Sequence, residues 1–157
     1  MSARPRNPAR LVRRVSEFPT ASEGLVIFHT GFDEYFGSDG ARWNTLDRGG
    51  AVFTVGVGVA ARSAVMIDDT GEVTLLDVTS ALRPLGVVSA VSDGQALIRW
   101  RGMIHGFLDL TPGATQYAST EAGEIVEEPD ETASLMRLGQ AISATSMEVQ
   151  LDQPVLV

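Results

Sequence analysis

The sequence predicts an all-β fold, a short-stranded antiparallel barrel or sandwich, and three observations support this prediction. Short apolar runs recur at intervals of about ten residues through most of the chain, a spacing typical of sheets whose strands are joined by tight turns. Asp-Gly and Pro-Gly turn sequences separate these runs. The sequence contains neither a βαβ pattern nor a heptad repeat, which disfavours a parallel α/β sheet and a coiled coil.

Residues 1–20 are predicted to form an extended basic arm. Pro5, Pro8 and Pro19 interrupt any helical period there, because proline fixes φ and biases the residue before it towards extended conformations. A single helical turn over residues 9–15 is the alternative, since it would place three arginines on one face.

Residues 21–48 are predicted to form a small β-meander that serves as an attachment element. Apolar, β-prone runs lie at 25–29, 32–36 and 42–45, with turns supplied by Gly31 and by Ser38-Asp39-Gly40. Three strands of this length bury too little apolar surface to be stable alone. The meander is therefore expected to pack on the rest of the chain or on another subunit.

Residues 49–157 are predicted to form the β-barrel or sandwich body, with Gly49-Gly50 at the boundary. The predicted strands lie at 52–59, 64–67, 72–78, 85–91, 96–101, 103–108, 116–119, 135–142 and 147–151. Turn sequences occur at Asp69-Thr70-Gly71, Ser92-Asp93-Gly94, Thr111-Pro112-Gly113 and Glu121-Ala122-Gly123. Residues 133–141 are compatible with a helix, but Gly139 and the β-prone flanks favour a strand.

Charge is distributed very unevenly along the chain. All twelve basic residues are arginine, and five of them fall within the first fourteen residues, where there is no acid. From Val15 onward seven arginines face twenty acids, so the body carries −13 and the arm +5. The arm is either a solvated tail or an anchor that pairs its guanidinium groups with an acidic partner. The residues assigned to the anchor are Arg4, Arg6, Arg10, Leu11, Val12, Arg13 and Arg14.

The sequence offers no catalytic or metal-binding constellation, so we expect a non-enzymatic protein without cofactor or metal. It lacks cysteine, which excludes thiol nucleophiles and cysteine-ligated metals. His29 and His105 each lie within an apolar run, which favours packed or interface histidines. The adjacent carboxylates at 33/34, 68/69 and 127/128 would point to opposite faces of a strand. The acidic run at 121–131 is either a solvated loop or the surface that receives a neighbour's arm.

Residues 110–149 resemble a module that recurs in the tail fibres, head fibres and head spikes of tailed phages. The stretch has a Leu-Thr-Pro-Gly turn, a tyrosine-containing strand, a glycine-centred hairpin, a proline-bearing loop and a Gly-x-Ala-x-Ser-x-Thr close. The matching residues are Pro112, Gly113, Tyr117, Gly123, Pro129, Gly139, Ala141, Ser143 and Thr145. Residues 65–73, 84–88 and 24–43 resemble other parts of such fibres, in the same order along the chain.

This resemblance implies an oligomeric virion component that is attached through its N-terminal part. A fibre ordinarily continues into a long shaft or tip, whereas this sequence stops at Val157. A capsid-surface or vertex component, such as a head-spike base or head fibre used in capsid decoration, is therefore expected ahead of a tail-fibre or baseplate module. The expected location is a virion or phage-like particle assembled in the bacterial cytoplasm, with copies of the chain and capsid or tail proteins as partners.

Other partners are less favoured. The acidic body would repel nucleic acid, and no apolar run approaches the roughly 20 residues that span a bilayer. The alternative function is a receptor-binding β-module for a host-surface glycan. Its candidate aromatic platforms, which would also suit a protein interface, are Tyr35, Trp43 and Trp100.

Overall fold

A computed structural model describes residues 12–79, 84–129 and 136–151. These residues form fourteen β-strands and no helix, which confirms the all-β prediction. The first seven strands are β1 (Arg13–Val15), β2 (Val26–His29), β3 (Glu34–Ser38), β4 (Trp43–Thr45), β5 (Gly50–Thr54), β6 (Ala64–Ile67) and β7 (Val73–Leu75). The other seven are β8 (Pro84–Ser92), β9 (Gln95–Arg99), β10 (Arg101–His105), β11 (Thr115–Ala118), β12 (Ile125–Val126), β13 (Arg137–Ser143) and β14 (Ser146–Gln150).

The strands form two sheets packed as a sandwich, so of the two architectures predicted the sandwich is correct. The larger sheet has nine strands in the order β1-β2-β3-β4-β5-β9-β8-β6-β7, and the smaller has five in the order β10-β14-β13-β11-β12. All neighbouring strands are antiparallel except β1 and β2, which are parallel. None of the described residues belongs to a helix long and apolar enough to cross a membrane.

The predicted meander is present as β2, β3 and β4, but the larger sheet continues through it into the body. Asn44 on β4 is paired with Ala51 on β5, so the boundary predicted at Gly49-Gly50 lies inside one sheet. After β5 the sheet curls back on itself: Val55, just past the end of β5, forms a single bridge with Val73 on β7, the last strand of the same sheet. The curl encloses an apolar cluster of Val65, Val73, Leu85, Val88, Ala96 and Ile98 without closing the sheet into a barrel.

A second apolar cluster joins the two sheets. Ala64, Met66 and Val87 of the larger sheet pack against residues of the smaller sheet. Those residues are Ile104, Leu138, Met147 and Val149. Each is almost fully buried, and burying side chains of this size contributes about 1.5–3 kcal/mol each. The sandwich is therefore held mainly by this contact, on the side of the larger sheet away from the curl.

Local sequence explains the two clearest turns and strands. Asp93 and Gly94 both have positive φ, the geometry of the two-residue hairpin turns that asparagine, aspartate and glycine favour, and they join β8 to β9. Gly139 lies in β13, as predicted. A Cβ at Gly139 would stand 2.0 Å from the Glu148 carbonyl oxygen on β14, so only glycine permits the two strands to approach this closely.

Candidate partner interface

The basic arm joins the fold at β1, the edge strand of the larger sheet. Arg13, Arg14 and Val15 pair with Ile27, Phe28 and His29 on β2. The Thr30 backbone N–H donates to the Val15 carbonyl oxygen at 2.8 Å. The helical turn considered for residues 9–15 is therefore wrong for Arg13–Val15, which form a strand. Residues 9–11 of that turn lie outside the described residues.

An aromatic cluster fixes the segment that follows β1. The Phe18 ring stacks on His29 at a centroid distance of 4.2 Å and contacts Phe36 edge-on at 5.2 Å. Phe18 also lies 5.6 Å from the Trp43 ring, and the Trp43 indole N–H donates to the Pro19 carbonyl oxygen at 3.1 Å. Because each aromatic pair contributes about 0.5–1.5 kcal/mol beyond its buried area, the root of the arm is held firmly.

The structure describes only part of the predicted anchor. Val12, Arg13 and Arg14 are exposed, as an anchor requires. Arg4, Arg6, Arg10 and Leu11 lie outside the described residues. Val15 is partly buried against the aromatic cluster, so residues 13–15 serve the fold as well as the arm.

The face of the sheet opposite this aromatic cluster carries a row of side chains that we call the outer stripe: Arg14, Phe28, Tyr35 and Leu46. The Arg14 guanidinium lies 5.1 Å from the centroid of the Phe28 ring, within cation–π range. Phe28 contacts Tyr35 edge-on at 4.9 Å. Tyr35 is 50% exposed and Leu46 is 57% exposed. The stripe is thus ordered by its own contacts and open to solvent at its apolar end.

Of the three predicted aromatic platforms, the structure exposes Tyr35 alone. Trp43 and Trp100 are 6% and 7% exposed, and the Trp100 indole N–H donates to the Arg48 carbonyl oxygen at 3.1 Å. A depression of about 510 Å³ lies beside Leu46 and Trp100. Because a glycan platform needs an open aromatic face, the burial of both tryptophans weakens the glycan-binding alternative.

An ionic cluster around the buried Arg99 connects the meander to the body. Arg99 on β9 is 8% exposed, and its Nη2 contacts both Glu34 carboxylate oxygens at 2.5 and 2.6 Å. Its Nη1 donates to Asp47 at 3.4 Å. Burial raises the pKa of Asp47, but hydrogen bonds from Thr45 and Gly49 and the charge of Arg99 outweigh it, so the pKa is lowered overall. The cluster therefore links β9 to β3 and to the connection between β4 and β5.

His29 is a packed histidine in the structure, as the sequence predicted. It is 2% exposed, and its Nδ1 accepts hydrogen bonds from the Gly31 and Phe32 backbone N–H groups at 3.2 and 3.3 Å. Because a neutral imidazole has one acceptor nitrogen, the proton lies on Nε2. Burial lowers the pKa of His29, and the charge of Asp93 offsets part of that shift.

Ser92 lies near His29, a proximity that the sequence did not indicate. A Cβ placed on Gly31 would lie 2.9 Å from Ser92 Oγ and 3.1 Å from His29 Cε1. However, Ser92 Oγ hydrogen-bonds to Asp93 at 3.4 Å, and the acceptor nitrogen of His29 is occupied by backbone donors. A serine–histidine–aspartate triad needs a histidine nitrogen that can accept the serine proton. This arrangement therefore lacks the geometry of a nucleophilic site.

The acidic loop after β11 is partly tied to the fold. The Glu127 carboxylate accepts hydrogen bonds from the Thr111 backbone N–H at 2.6 Å and from the Gln116 amide at 3.3 Å. The Ser119 hydroxyl donates to Glu124 at 3.0 Å. Glu121, Glu124 and Glu128 are exposed. Among the described residues, no group of three or more histidines and carboxylates is arranged to hold a metal ion.

The protein is expected to lose stability in mild acid, and replacing His29 with asparagine should remove this loss. Because burial holds the pKa of His29 below its unfolded value of about 6.5, the unfolded chain binds more protons between the two values. This stability is present above the unfolded pKa and falls as the pH drops below it, by up to about 1.4 kcal/mol per pH unit.

Urea denaturation of both proteins between pH 7.5 and pH 5 would measure this difference. Asparagine can accept the same backbone hydrogen bonds but does not titrate. The same replacement at the exposed His105 is the control for losing a histidine elsewhere. Parallel stability curves for the native protein and His29→Asn would show that His29 does not carry the pH dependence.

No protein-family model matches the chain, and no curated protein matches it.

Proposed function

We propose that this chain is a non-enzymatic structural protein of a tailed phage or phage-like particle. Its place is the capsid surface or a vertex, as a head-spike base or head fibre, where neighbouring subunits hold it through its N-terminal region. The observation that carries the proposal is the root of the arm. A segment with five arginines and no acid joins the edge of the larger sheet, where Arg14 lies over Phe28 and Phe28 contacts the exposed Tyr35.

The fold supports an assembly role. Both sheets are antiparallel-rich and built from short strands. Three of the four edge strands, β1, β7 and β12, have two or three residues, and the fourth, β10, has five. Short edges limit unwanted strand pairing. Specific contacts with other subunits can then form through side chains, as the charged arm and the outer stripe allow. The sequence resemblance to fibre and spike modules supports placing this assembly role in a phage-like particle.

The chemistry of the described residues supports a non-enzymatic role. His29, the histidine nearest a serine, has its acceptor nitrogen occupied. The Arg99 guanidinium pairs through its two Nη atoms with the Glu34 and Asp47 carboxylates of the same chain. Backbone hydrogen bonds are the main cause of the lowered pKa values of Glu127 and Asp39. Both carboxylates therefore stay charged and act as hydrogen-bond acceptors within the fold. These groups stabilise turns and strand contacts.

Antibody labelling of intact particles would test the proposed location. Gold-labelled antibody against residues 12–151 should decorate particles from cells that carry this gene, and the label should sit at the head or its vertices. Particles from a strain with the gene deleted are the control. Label on the tail would favour the tail-fibre or baseplate alternative over a head component. Unlabelled particles, with the chain found only outside them, would refute the proposal.

A further inference from the structure

We propose that His29 makes the attachment of β1 to the larger sheet depend on pH, so that protonation of its Nδ1 releases β1 while the rest of the sheet stays folded. This property belongs to the chain by itself and does not depend on the proposed function. β1 is the edge strand that precedes all the others in sequence, so mild acid loosens the connection between the N-terminal region and the sheet.

One nitrogen of His29 fixes the turn that holds β1. His29 is the last residue of β2 and pairs with Val15 on β1. The next residue, Thr30, donates to the Val15 carbonyl oxygen from its backbone N–H at 2.8 Å and from its hydroxyl at 3.2 Å. The backbone N–H groups of Gly31 and Phe32 both donate to His29 Nδ1. The unprotonated Nδ1 therefore keeps the Thr30 donors in position.

The ring of His29 also holds the segment that follows β1. The Phe18 ring stacks on it with an interplanar angle of 20°. β1 itself has three residues and a single neighbouring strand. A short edge strand with few contacts can open without unfolding the rest of a sheet. The attachment of β1 thus depends largely on contacts made through His29 and Thr30.

Protonation of Nδ1 removes these contacts. A protonated imidazole carries a donor on each nitrogen, so Nδ1 can no longer accept from Gly31 and Phe32. The imidazolium then needs water, because burying a charge without a hydrogen-bond partner is costly. Of the rings around His29, Phe36 is fully buried, whereas Phe18 is only partly buried. Displacing Phe18 therefore exposes the imidazolium with less loss of packing than opening the sheet at Phe36.

Asp93 is the charged group that acts on His29 from the neighbouring strands. It lies in the turn between β8 and β9, and its charge favours the imidazolium and offsets part of the effect of burial on the pKa of His29. The other ionisable groups on the elements around His29 are held in an ion pair or exposed to solvent: Glu34, Arg99, Arg14, Glu17 and Asp33. Burial still outweighs Asp93, so the pKa of His29 is lowered while β1 is attached.

The direction of the pH effect follows from this lowered pKa. When β1 is released, the pKa of His29 returns towards its ordinary value of about 6.5, and the released form binds more protons. The attachment is therefore complete above about pH 6.5 and weakens as the pH falls below that value. The equilibrium constant for release rises by up to about tenfold per pH unit, until the pH passes the pKa of the attached form.

Hydrogen exchange measured by NMR on the full chain between pH 7.5 and pH 5 would test this proposal, with each rate corrected for the intrinsic effect of pH. The Thr30 amide, which donates to Val15, reports on β1, and the Val88 amide, which donates to Ser63, reports on the centre of the larger sheet. Protection of Thr30 should be at least tenfold lower than that of Val88 at every pH. It should fall by up to about tenfold per pH unit below pH 6.5 in the native chain and stay constant in His29→Asn.

Asp93→Asn provides a second variant that should keep the fold, because asparagine also tolerates the positive φ of this position. Removing the carboxylate should lower the pKa of His29 in an NMR titration of the imidazole. The fall in Thr30 protection should then continue to lower pH. The matched control is Asp109→Asn, at an exposed aspartate that also has positive φ. It should change neither the pKa of His29 nor the protection of Thr30.

Either of two results would overturn the proposal. Equal protection of Thr30 and Val88 would show that β1 opens only when the whole sheet unfolds. The same pH dependence of Thr30 protection in the native chain and in His29→Asn would show that His29 does not control the release. If His29→Asn does not fold, the comparison of Asp93→Asn with Asp109→Asn still decides, because identical His29 titrations and identical Thr30 protection in the two would contradict the proposal.

Discussion

Deleting residues 2–11 should reduce incorporation of the protein into particles to background while leaving its melting temperature unchanged. The deletion removes Arg4, Arg6 and Arg10 but keeps β1, whose first residue is Arg13. It also keeps Phe18 and its contacts with His29 and Trp43. The fold is therefore expected to survive, whereas three of the five arginines assigned to the anchor are lost.

The structure decides where this deletion must stop. A deletion through residue 14 would remove two of the three residues of β1 and the cation that lies over Phe28, and would mix loss of fold with loss of binding. A second variant, Arg4→Gln/Arg6→Gln/Arg10→Gln, keeps the chain length and removes only charge. It should show a milder defect and a weaker dependence of incorporation on salt.

Quantitative blotting of purified particles against a capsid protein would measure incorporation. The internal control is the replacement Val57→Ser in the full-length chain, at a fully exposed position in the loop after β5. Native levels of the truncated protein in particles would leave the arm as a solvated tail and refute its anchoring role. A large fall in melting temperature would show instead that residues 2–11 support the fold.

Local sequence accounts for several of the strands and turns without tertiary information. The hairpin at Asp93-Gly94 and the strand at Ala64–Ile67 follow directly from turn chemistry and from a short apolar run. The predicted strand at 96–101 is instead divided at Trp100: β9 ends at Arg99 in the larger sheet, and β10 begins at Arg101 in the smaller one. The indole of Trp100 bonds to Arg48, a residue too distant in sequence for a local pattern to indicate.

Long-range pairing explains what the sequence could not indicate. β5 pairs with β9 across more than forty residues, and β1 pairs with β2 in parallel through a ten-residue connection. Runs of residues with similar apolar patterns do not specify which strands become neighbours. In the sequence, Arg99 is an ordinary polar residue at the end of a predicted strand. Its ion-pair partners Glu34 and Asp47 lie 65 and 52 positions away, too far for a local pattern to indicate them.

The outer stripe was predicted only in part. Tyr35 was a candidate, whereas Phe28 and Leu46 were not. A signal for Phe28 exists, because residues alternate between the two faces of a strand and a hairpin centred near Gly31 places positions 28 and 35 opposite each other. Leu46 follows β4, and only the packing of its side chain over Gly37 joins it to the stripe. Burial of the two tryptophans likewise depends on tertiary contacts.

Replacing Arg99 with methionine should lower the free energy of unfolding by about 3 kcal/mol, near the lower end of the range for breaking a buried ion pair. Methionine fills a similar volume but leaves the Glu34 carboxylate without its cation. The Glu34 side chain is 26% exposed, so water relieves part of the penalty. The Arg99 Nε has no hydrogen-bond partner among the described groups, which means that the native cluster already carries a desolvation cost.

The double variant Arg99→Met/Glu34→Leu should recover much of this loss, because it also removes the Glu34 carboxylate that Arg99→Met leaves without a cation. Urea denaturation at pH 7 of the native chain, both single variants and the double variant gives the coupling energy directly. The control is Arg101→Met, at an exposed position two residues along, which should change stability by less than about 0.5 kcal/mol. If Arg99→Met lowers the free energy of unfolding no more than Arg101→Met does, the ion pair between Glu34 on β3 and Arg99 on β9 does not stabilise the fold. If the double variant is no better than Arg99→Met alone, the loss comes from packing around Arg99 and not from the uncompensated carboxylate.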